Sequence, residues 1–191
     1  AIAGDHTIKI TGTFPNIYFN NAGDKLKIKK VLTLGQVGWT LLNSAFFGCS
    51  NLTQFTAGST DTSAVTNMQL MFRETGVTTL DLTSFDTTSV TNMYAMFNRC
   101  SILTSLDVSS FDTSSVAHMS FMFELCNALT SIVGVEDFDI TSLNNTNDLT
   151  GFLTNGRMTT AQYDALLVKW EAQNVLNGLT PTFGNSEYTG G

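Results

Sequence analysis

Aspartate and cysteine recur at near-constant intervals in this chain, and both side chains can do chemistry. Asp61, Asp86, Asp112 and Asp139 follow one another at 25, 26 and 27 positions. Such a column of carboxylates beside backbone carbonyls suits calcium. The same carboxylates ahead of a helix would instead accept its unpaired N–H groups. No DxDxDG loop accompanies them, which favours capping, with calcium as the alternative. Asp81 and Asp107 make a second spaced pair; on adjacent strands about 5 Å apart they would form a two-carboxylate site. Cys49, Cys100 and Cys126 share one repeat position, which Thr75 fills in a shorter copy. The column reads as an internal ladder of small buried thiols. A Cys100–Cys126 bridge is geometrically open as well. His6 and His118 are isolated and no CxxC or HxxxH spacing exists, so no metal site is expected. His118 stands where the preceding copy has Asn92 and reads as drift at an exposed helix position. No nucleophile elbow, phosphate loop or matched Ser/His/Asp grouping is present, so no catalytic residue and no cofactor is assigned.

A repeated block has to position these residues. One copy reads Phe85-Asp86-Thr87-Thr88-Ser89-Val90-Thr91-Asn92-Met93, then Met96-Phe97, Cys100, Leu103 and Leu106-Asp107-Val108. The next reads Phe111-Asp112-Thr113-Ser114-Ser115-Val116-Ala117-His118-Met119, then Met122-Phe123, Cys126, Leu129 and Ile132. An earlier copy begins at Asp61, and a partial one holds Leu42, Ala45-Phe46, Cys49 and Leu52. A fixed period of this size predicts a solenoid, because no unit buries its apolar side alone. Within a unit, Leu103-x-x-Leu106-x-Val108-x-x-Phe111 has the spacing of a leucine-rich-repeat strand and turn. Val116, Met119, Met122-Phe123 and Cys126 lie three and four apart, which predicts a short helix with one buried stripe. The Met-Phe pairs at 71–72, 96–97 and 122–123 therefore read as core, not as a cofactor box. A threonine column, Thr53, Thr78, Thr104 and Thr130, reads as a solvated hydroxyl ladder; ice binding is the weaker alternative.

The predicted fold class is α/β: parallel strands on one face, short helices on the other, a β-rich N-terminal cap and a helical C-terminal cap. Residues 1–41 form the first cap, with alternating runs at Thr7–Thr11, Asn16–Phe19 and Lys25–Leu34. Residues 42–143 hold about four repeats. Residues 144–191 form the second cap, with a helix near 160–173 opened by the capping box Thr159-Thr160-Ala161-Gln162 and followed by a loop tail. Only 13% of the 191 residues are charged, about half the usual share, and Thr, Ser and Asn replace them. Net charge is −7. Residues 1–30 carry +3 and the remainder −10, counted from their Lys, Arg, Asp and Glu. The acidic body argues against nucleic acid. Lys25, Lys27, Lys29 and Lys30 form the one basic cluster and read as a solvated or edge-guarding face. No apolar run approaches the roughly 18 residues that span a membrane. The chain opens at Ala1, so a processed product or a fragment of a longer chain is expected.

The copies at residues 80–105 and 106–131 closely follow the pattern LxxLDLSSFDTSxVTNMxxMFxxCxxL. In this the chain resembles the BspA-like leucine-rich repeat family of bacterial surface proteins. The stretch from Leu153, with Tyr163-Asp164-Ala165-Leu166-Leu167 and Trp170-Glu171-Ala172-Gln173, looks like the region that follows such repeats in marine bacterial and phage-associated proteins. The resemblance implies a secreted or cell-surface adhesin-type module that binds proteins or other surface ligands, and it supplies no catalytic motif. If leucine-rich-repeat geometry applies, the strand face carries Asp81, Thr83, Asp107 and Ser109 as the ligand-binding candidates. The alternative expectation is a tail or spike domain on a virion or secreted particle, recognising a host.

Overall fold

The computed structural model describes residues 6–143, 145, 148–173, 179 and 181–183. Among the described residues it is a mixed α/β structure with parallel strands in two small sheets, one α-helix and a single 3-10 turn at Val135–Asp137. Strands β1 (Lys30–Val31), β2 (Gln54–Thr56) and β3 (Thr79–Asp81) form the first sheet. Strands β4 (Ser105–Asp107) and β5 (Ser131–Val133) form the second. The register repeats with the sequence: Phe55 pairs Leu80, and Leu106 pairs Ile132. The sheet predicted to be continuous is interrupted between β3 and β4. Asp81 and Asp107 would stand opposite each other there, and like charges at a facing pair oppose closure.

Among the described residues the short helices predicted in each unit are not formed. The segment from Met93 to Cys100 is a run of turns instead, and its backbone hydrogen bonds alternate. The N–H groups of Met96, Asn98 and Cys100 close three-residue turns onto Met93, Ala95 and Phe97. Those of Met93, Ala95, Phe97 and Arg99 donate to the carbonyls of His118, Ser120, Met122 and Glu124 in the next unit, at 2.8–3.0 Å. The pattern starts with Phe19 and Asn21 donating to Ala45 and Phe47, and it continues to Phe123 and Leu125 donating to Phe152 and Thr154. A helix cannot direct alternate N–H groups sideways. The chain does so by placing every fourth residue at positive φ: Leu70 and Glu74, Ala95 and Arg99, Phe121 and Leu125, all between 50° and 62°. This conformation costs a non-glycine residue about 1–2 kcal/mol, which the hydrogen bonds to the next unit offset. The apolar spacing of three and four suits either structure, so it did not separate them.

The same register stacks the core. Phe46, Phe72, Phe97 and Phe123 lie nearly parallel, with ring centroids 5.8, 5.8 and 5.5 Å apart. Phe152 then turns edge-on to Phe123, and Trp170 edge-on to Phe152, closing the column. Trp170 comes from helix α1 (Thr160–Glu171). As predicted, Thr159 caps it, its hydroxyl accepting from the N–H of Gln162 at 3.3 Å. The N-terminal region is less regular than its alternation predicts. Thr7–Thr11 and Asn16–Phe19 are not strands; two-residue β1 and one bridge from Asn16 to Leu41 are its β structure among the described residues. Short runs without a long partner strand have too few ladder bonds to become regular. Most of the loop tail predicted after α1 (residues 174–178, 180 and 184–191) lies outside the described residues.

Two further columns fasten the units. Thr62, Thr87 and Thr113 are buried. Each hydroxyl donates to the carbonyl of an aspartate one unit on and accepts from that aspartate's N–H. For Thr87 and Asp112 the distances are 2.9 and 2.8 Å. The cysteines form the predicted internal ladder: all three are buried free thiols, so the alternative bridge between Cys100 and Cys126 is not made. The thiols of Cys100 and Cys126 donate to the carbonyls of Phe72 and Phe97 at 3.1 and 3.0 Å. Thr75 departs from the pattern: its hydroxyl donates to the Phe72 carbonyl of its own unit at 2.8 Å and lies 3.4 Å from the Cys100 thiol of the next. Burial pushes Cys49 up to about 12 despite the Lys25 charge. It pushes Cys100 up to about 11 against hydrogen bonding from Thr75, and it raises Cys126 well above an ordinary thiol.

Three measurements test these assignments. Thr87→Val strands the N–H and carbonyl of Asp112 and should lower unfolding free energy by about 2 kcal/mol in urea, whereas Thr87→Ser should cost about half as much. Ala95 sits at φ 50°, so Ala95→Gly should stay within about 1 kcal/mol of the parent while Ala95→Val loses at least about 2 kcal/mol. A helix would invert that order, since glycine is the poorer helix former. The raised thiols favour the neutral form in the fold. Their stabilisation is therefore complete below about pH 9, the ordinary thiol value, and is lost as pH rises towards 11 and 12. Urea midpoints should fall across that window, and less in a Cys100→Ala variant.

Candidate functional site

The outward positions of the strands form the predicted face. By register Gln54 stands beside Thr79 and Thr56 beside Asp81 in the first sheet, and Ser105 beside Ser131 and Asp107 beside Val133 in the second. The four predicted residues arrive as two clamped pairs. Asp81 Oδ1 accepts from the hydroxyl of Thr83 at 2.7 Å and its N–H at 3.3 Å. Asp107 Oδ1 accepts from the hydroxyl of Ser109 at 2.6 Å and its N–H at 2.9 Å. The Ser109 hydroxyl, with its N–H second, holds the Asp107 carboxyl below the usual carboxylate range. Asp107 is therefore ionised at neutral pH, and the clamp fixes its direction. The strand junction keeps Asp81 and Asp107 on neighbouring but unpaired strands, so no ladder holds the two carboxylates in register.

The same turn recurs in the other aspartate column, in Asp61-x-Ser63, Asp86-x-Thr88, Asp112-x-Ser114 and Asp139-x-Thr141. These aspartates close two-residue side-chain turns and do not cap helices, because no helix follows them. Ser63 and Ser114 hold Asp61 and Asp112 below the usual range, hydroxyl first and N–H second. One oxygen of each carboxylate is engaged inside its own turn. Among the described residues no group of three or more His, Cys, Asp or Glu gathers as metal ligands. Asp-x-Ser/Thr occurs six times in these two columns, and that spacing was the signal that the residues work in pairs. The threonine column is exposed and links successive units: Thr78 and Thr130 donate to the carbonyls of Thr53 and Thr104 at 3.0 and 3.3 Å.

His118 is more than drift at a helix position. Asn67 and Asn92, its equivalents, use their side-chain oxygens to accept from Gln69 and Tyr94 N–H groups at 2.9 Å. His118 instead pairs its Nδ1 with Asp148 Oδ1 at 3.0 Å. The Asp148 side chain is 5% exposed and the His118 ring 51% exposed. Asp148 Oδ2 accepts from Asn145 N–H at 2.8 Å, so the pair ties two successive units. The basic cluster is spread: Lys27 pairs Asp24 at 2.7 Å, Lys25 donates to Asn21, and Lys30 lies in the edge strand β1.

A charged cluster on the turn side was not anticipated. The two positions after each Met-Phe pair hold Arg73 and Glu74, Asn98 and Arg99, then Glu124 and Leu125. Stacking brings them together. Glu74 Oε1 lies 3.4 Å from Arg73 Nε and 3.8 Å from Arg99 Nε, and Asn98 Nδ2 donates to Glu124 Oε2 at 2.8 Å. The Arg73 guanidinium stands 5.0 Å above the Phe47 ring. The sequence signal was available: two of the chain's three arginines occupy adjacent repeat positions in consecutive copies.

No curated protein and no solved structure matches the chain. A family model described as "Mycoplasma protein of unknown function, DUF285" matches residues 40–163, the span that contains the turn segments, both aspartate columns and the cysteine ladder. The match takes in well over half of the sequence, and the chain belongs to the DUF285 family.

Proposed function

We propose that this chain is a non-enzymatic recognition module exposed on a bacterial surface, a solenoid of BspA-like leucine-rich units. It binds a protein or other surface ligand through the strand face around Asp81, Thr83, Asp107 and Ser109. The observation that carries the reading is the pair of clamps. Each takes a side chain that would otherwise sample several rotamers and fixes a carboxylate on an outward strand position. Fixed polar groups lose less entropy on binding than free ones. Support also comes from the periodic register, which lets each unit present the same outward positions while the core repeats. Hydroxyl and amide groups around the two carboxylates suit a ligand rich in N–H and O–H donors. A stacked array of this kind commonly recognises extended ligands on one of its faces.

The reading is tested by flow cytometry of the fluorescently labelled domain on intact bacterial and animal cells. Saturable binding should fall at least tenfold in the double variant Asp81→Ala/Asp107→Ala, with a melting temperature within a few degrees of the parent. Binding that is unchanged in this variant, or absent from all cells tried, overturns the assignment.

A further inference from the structure

The turn-side cluster borders two depressions that share one side chain. The first encloses about 150 Å³ and is lined by Tyr94, Asn98, Arg99 and Glu124, with Phe121 at its side. The second encloses about 490 Å³ and is lined by Glu74, Ser101, Ile102 and Asn127, again with Arg99. The two depressions together make a groove, and Arg99 lines both. Its side chain is half exposed, at 53%. Ile102 presents an apolar surface beyond it, 50% exposed. Tyr94 meets Phe121 edge to face at 5.8 Å, which braces the phenol ring in the lining of the first depression.

The chemistry of this lining is specific. In a chain with 13% charged residues, two arginines and two glutamates converge here and balance. Glu74 lies between both guanidinium groups, so an anion would gain little and would meet two carboxylates. A hydrophobic peptide would find one exposed isoleucine set among charged and amide side chains. What the groove offers is a set of planar polar groups, namely guanidinium, carboxylate and amide, each able to engage two neighbouring hydroxyls. Beside them stand an aromatic ring and an aliphatic side chain for the C–H faces between the hydroxyls. A few convergent polar groups next to an aromatic surface are what fixes a small polar ligand in a concave site.

We propose that this groove is a glycan-binding site for a neutral oligosaccharide, with one sugar ring beside Tyr94 and the next beyond Arg99 against Ile102. It uses residues distinct from the strand face, so either assignment stands without the other. The test is NMR titration of the whole chain with four neutral tetrasaccharides: maltotetraose, cellotetraose, chitotetraose and mannotetraose. At least one should bind, with saturation transfer to its ring protons. Tyr94→Ala and Arg99→Gly should each weaken it at least tenfold. Arg99 sits at φ 62°, so glycine removes the guanidinium while relaxing the backbone, and the fold is kept. The Asp81→Ala/Asp107→Ala variant should bind like the parent. Failure of all four sugars to bind, or binding that survives both groove substitutions, overturns the proposal.

Discussion

Everything in this molecule depends on where alternate backbone N–H groups of the turn segments find their acceptors. A buried segment must pair its amides, and leaving one unpaired costs about 1–3 kcal/mol. A helix would have paired them internally and made each unit self-sufficient in hydrogen bonds. Here half of them point along the stack, from Phe97 to Met122 and from Arg99 to Glu124. No unit can therefore be satisfied without its neighbour. The period follows from this requirement: a unit of 25 or 26 residues returns the chain to a carbonyl at the right height. The positive φ at Ala95 and Arg99 is the local consequence, because reversing the direction of successive amides within so few residues requires it.

Once the backbone register is imposed, the buried side chains have little choice. Equivalent atoms stand above one another at about the spacing of adjacent strands, so a residue that suits one unit must also suit its copy. Flat rings satisfy that condition, which is why Phe72, Phe97 and Phe123 stack almost parallel, at interplanar angles of 3° and 2°. Polar groups satisfy it only when each bonds to the next unit. The Thr87 hydroxyl does so by serving both the carbonyl and the N–H of Asp112. The ladder ends where a ring turns edge-on: Phe152 meets Phe123 at 89°, and α1 brings Trp170 against it. Gly76 marks the tightest approach among the repeats, since a Cβ there would lie 2.0 Å from the Ser50 carbonyl oxygen.

Much of this was readable before any coordinates. The period, the buried columns, the cysteine ladder and α1 with its Thr159 cap all follow from spacing, because each reports burial or a local capping bond. The turn segment was misread for a physical reason: apolar residues three and four apart line one side of a helix and equally line one side of successive tight turns. The glycines at positions 48 and 151, which share the positive φ of their columns, were the clue against a helix. Tertiary pairs were less legible. That His118 meets Asp148 depends on the path of the segment between them, and no local spacing encodes it. The break between β3 and β4 depends on two like charges meeting only after stacking. The Asp-x-Ser/Thr clamps were legible in principle, but only when the aspartate and the hydroxyl residue are read as one turn.

The constraint that makes the core uniform leaves the outer positions free to vary. A substitution at Met96 or Phe97 must be matched in the units on both sides. One at Asn98 or Arg99 alters a side chain whose partners lie at the surface. The repeat positions after Met-Phe show this directly, with Arg73 and Glu74 in one unit, Asn98 and Arg99 in the next, and Glu124 and Leu125 in the third. The cores of those units are nearly identical and their exteriors differ in charge, length and polarity. Because the backbone beneath is held by hydrogen bonds on both sides, the outer groups are displayed on a rigid frame. The arrangement can thus change its exterior without changing how it folds. That separation arises from the direction of the amides, which commits the interior to its neighbours and leaves the exterior uncommitted.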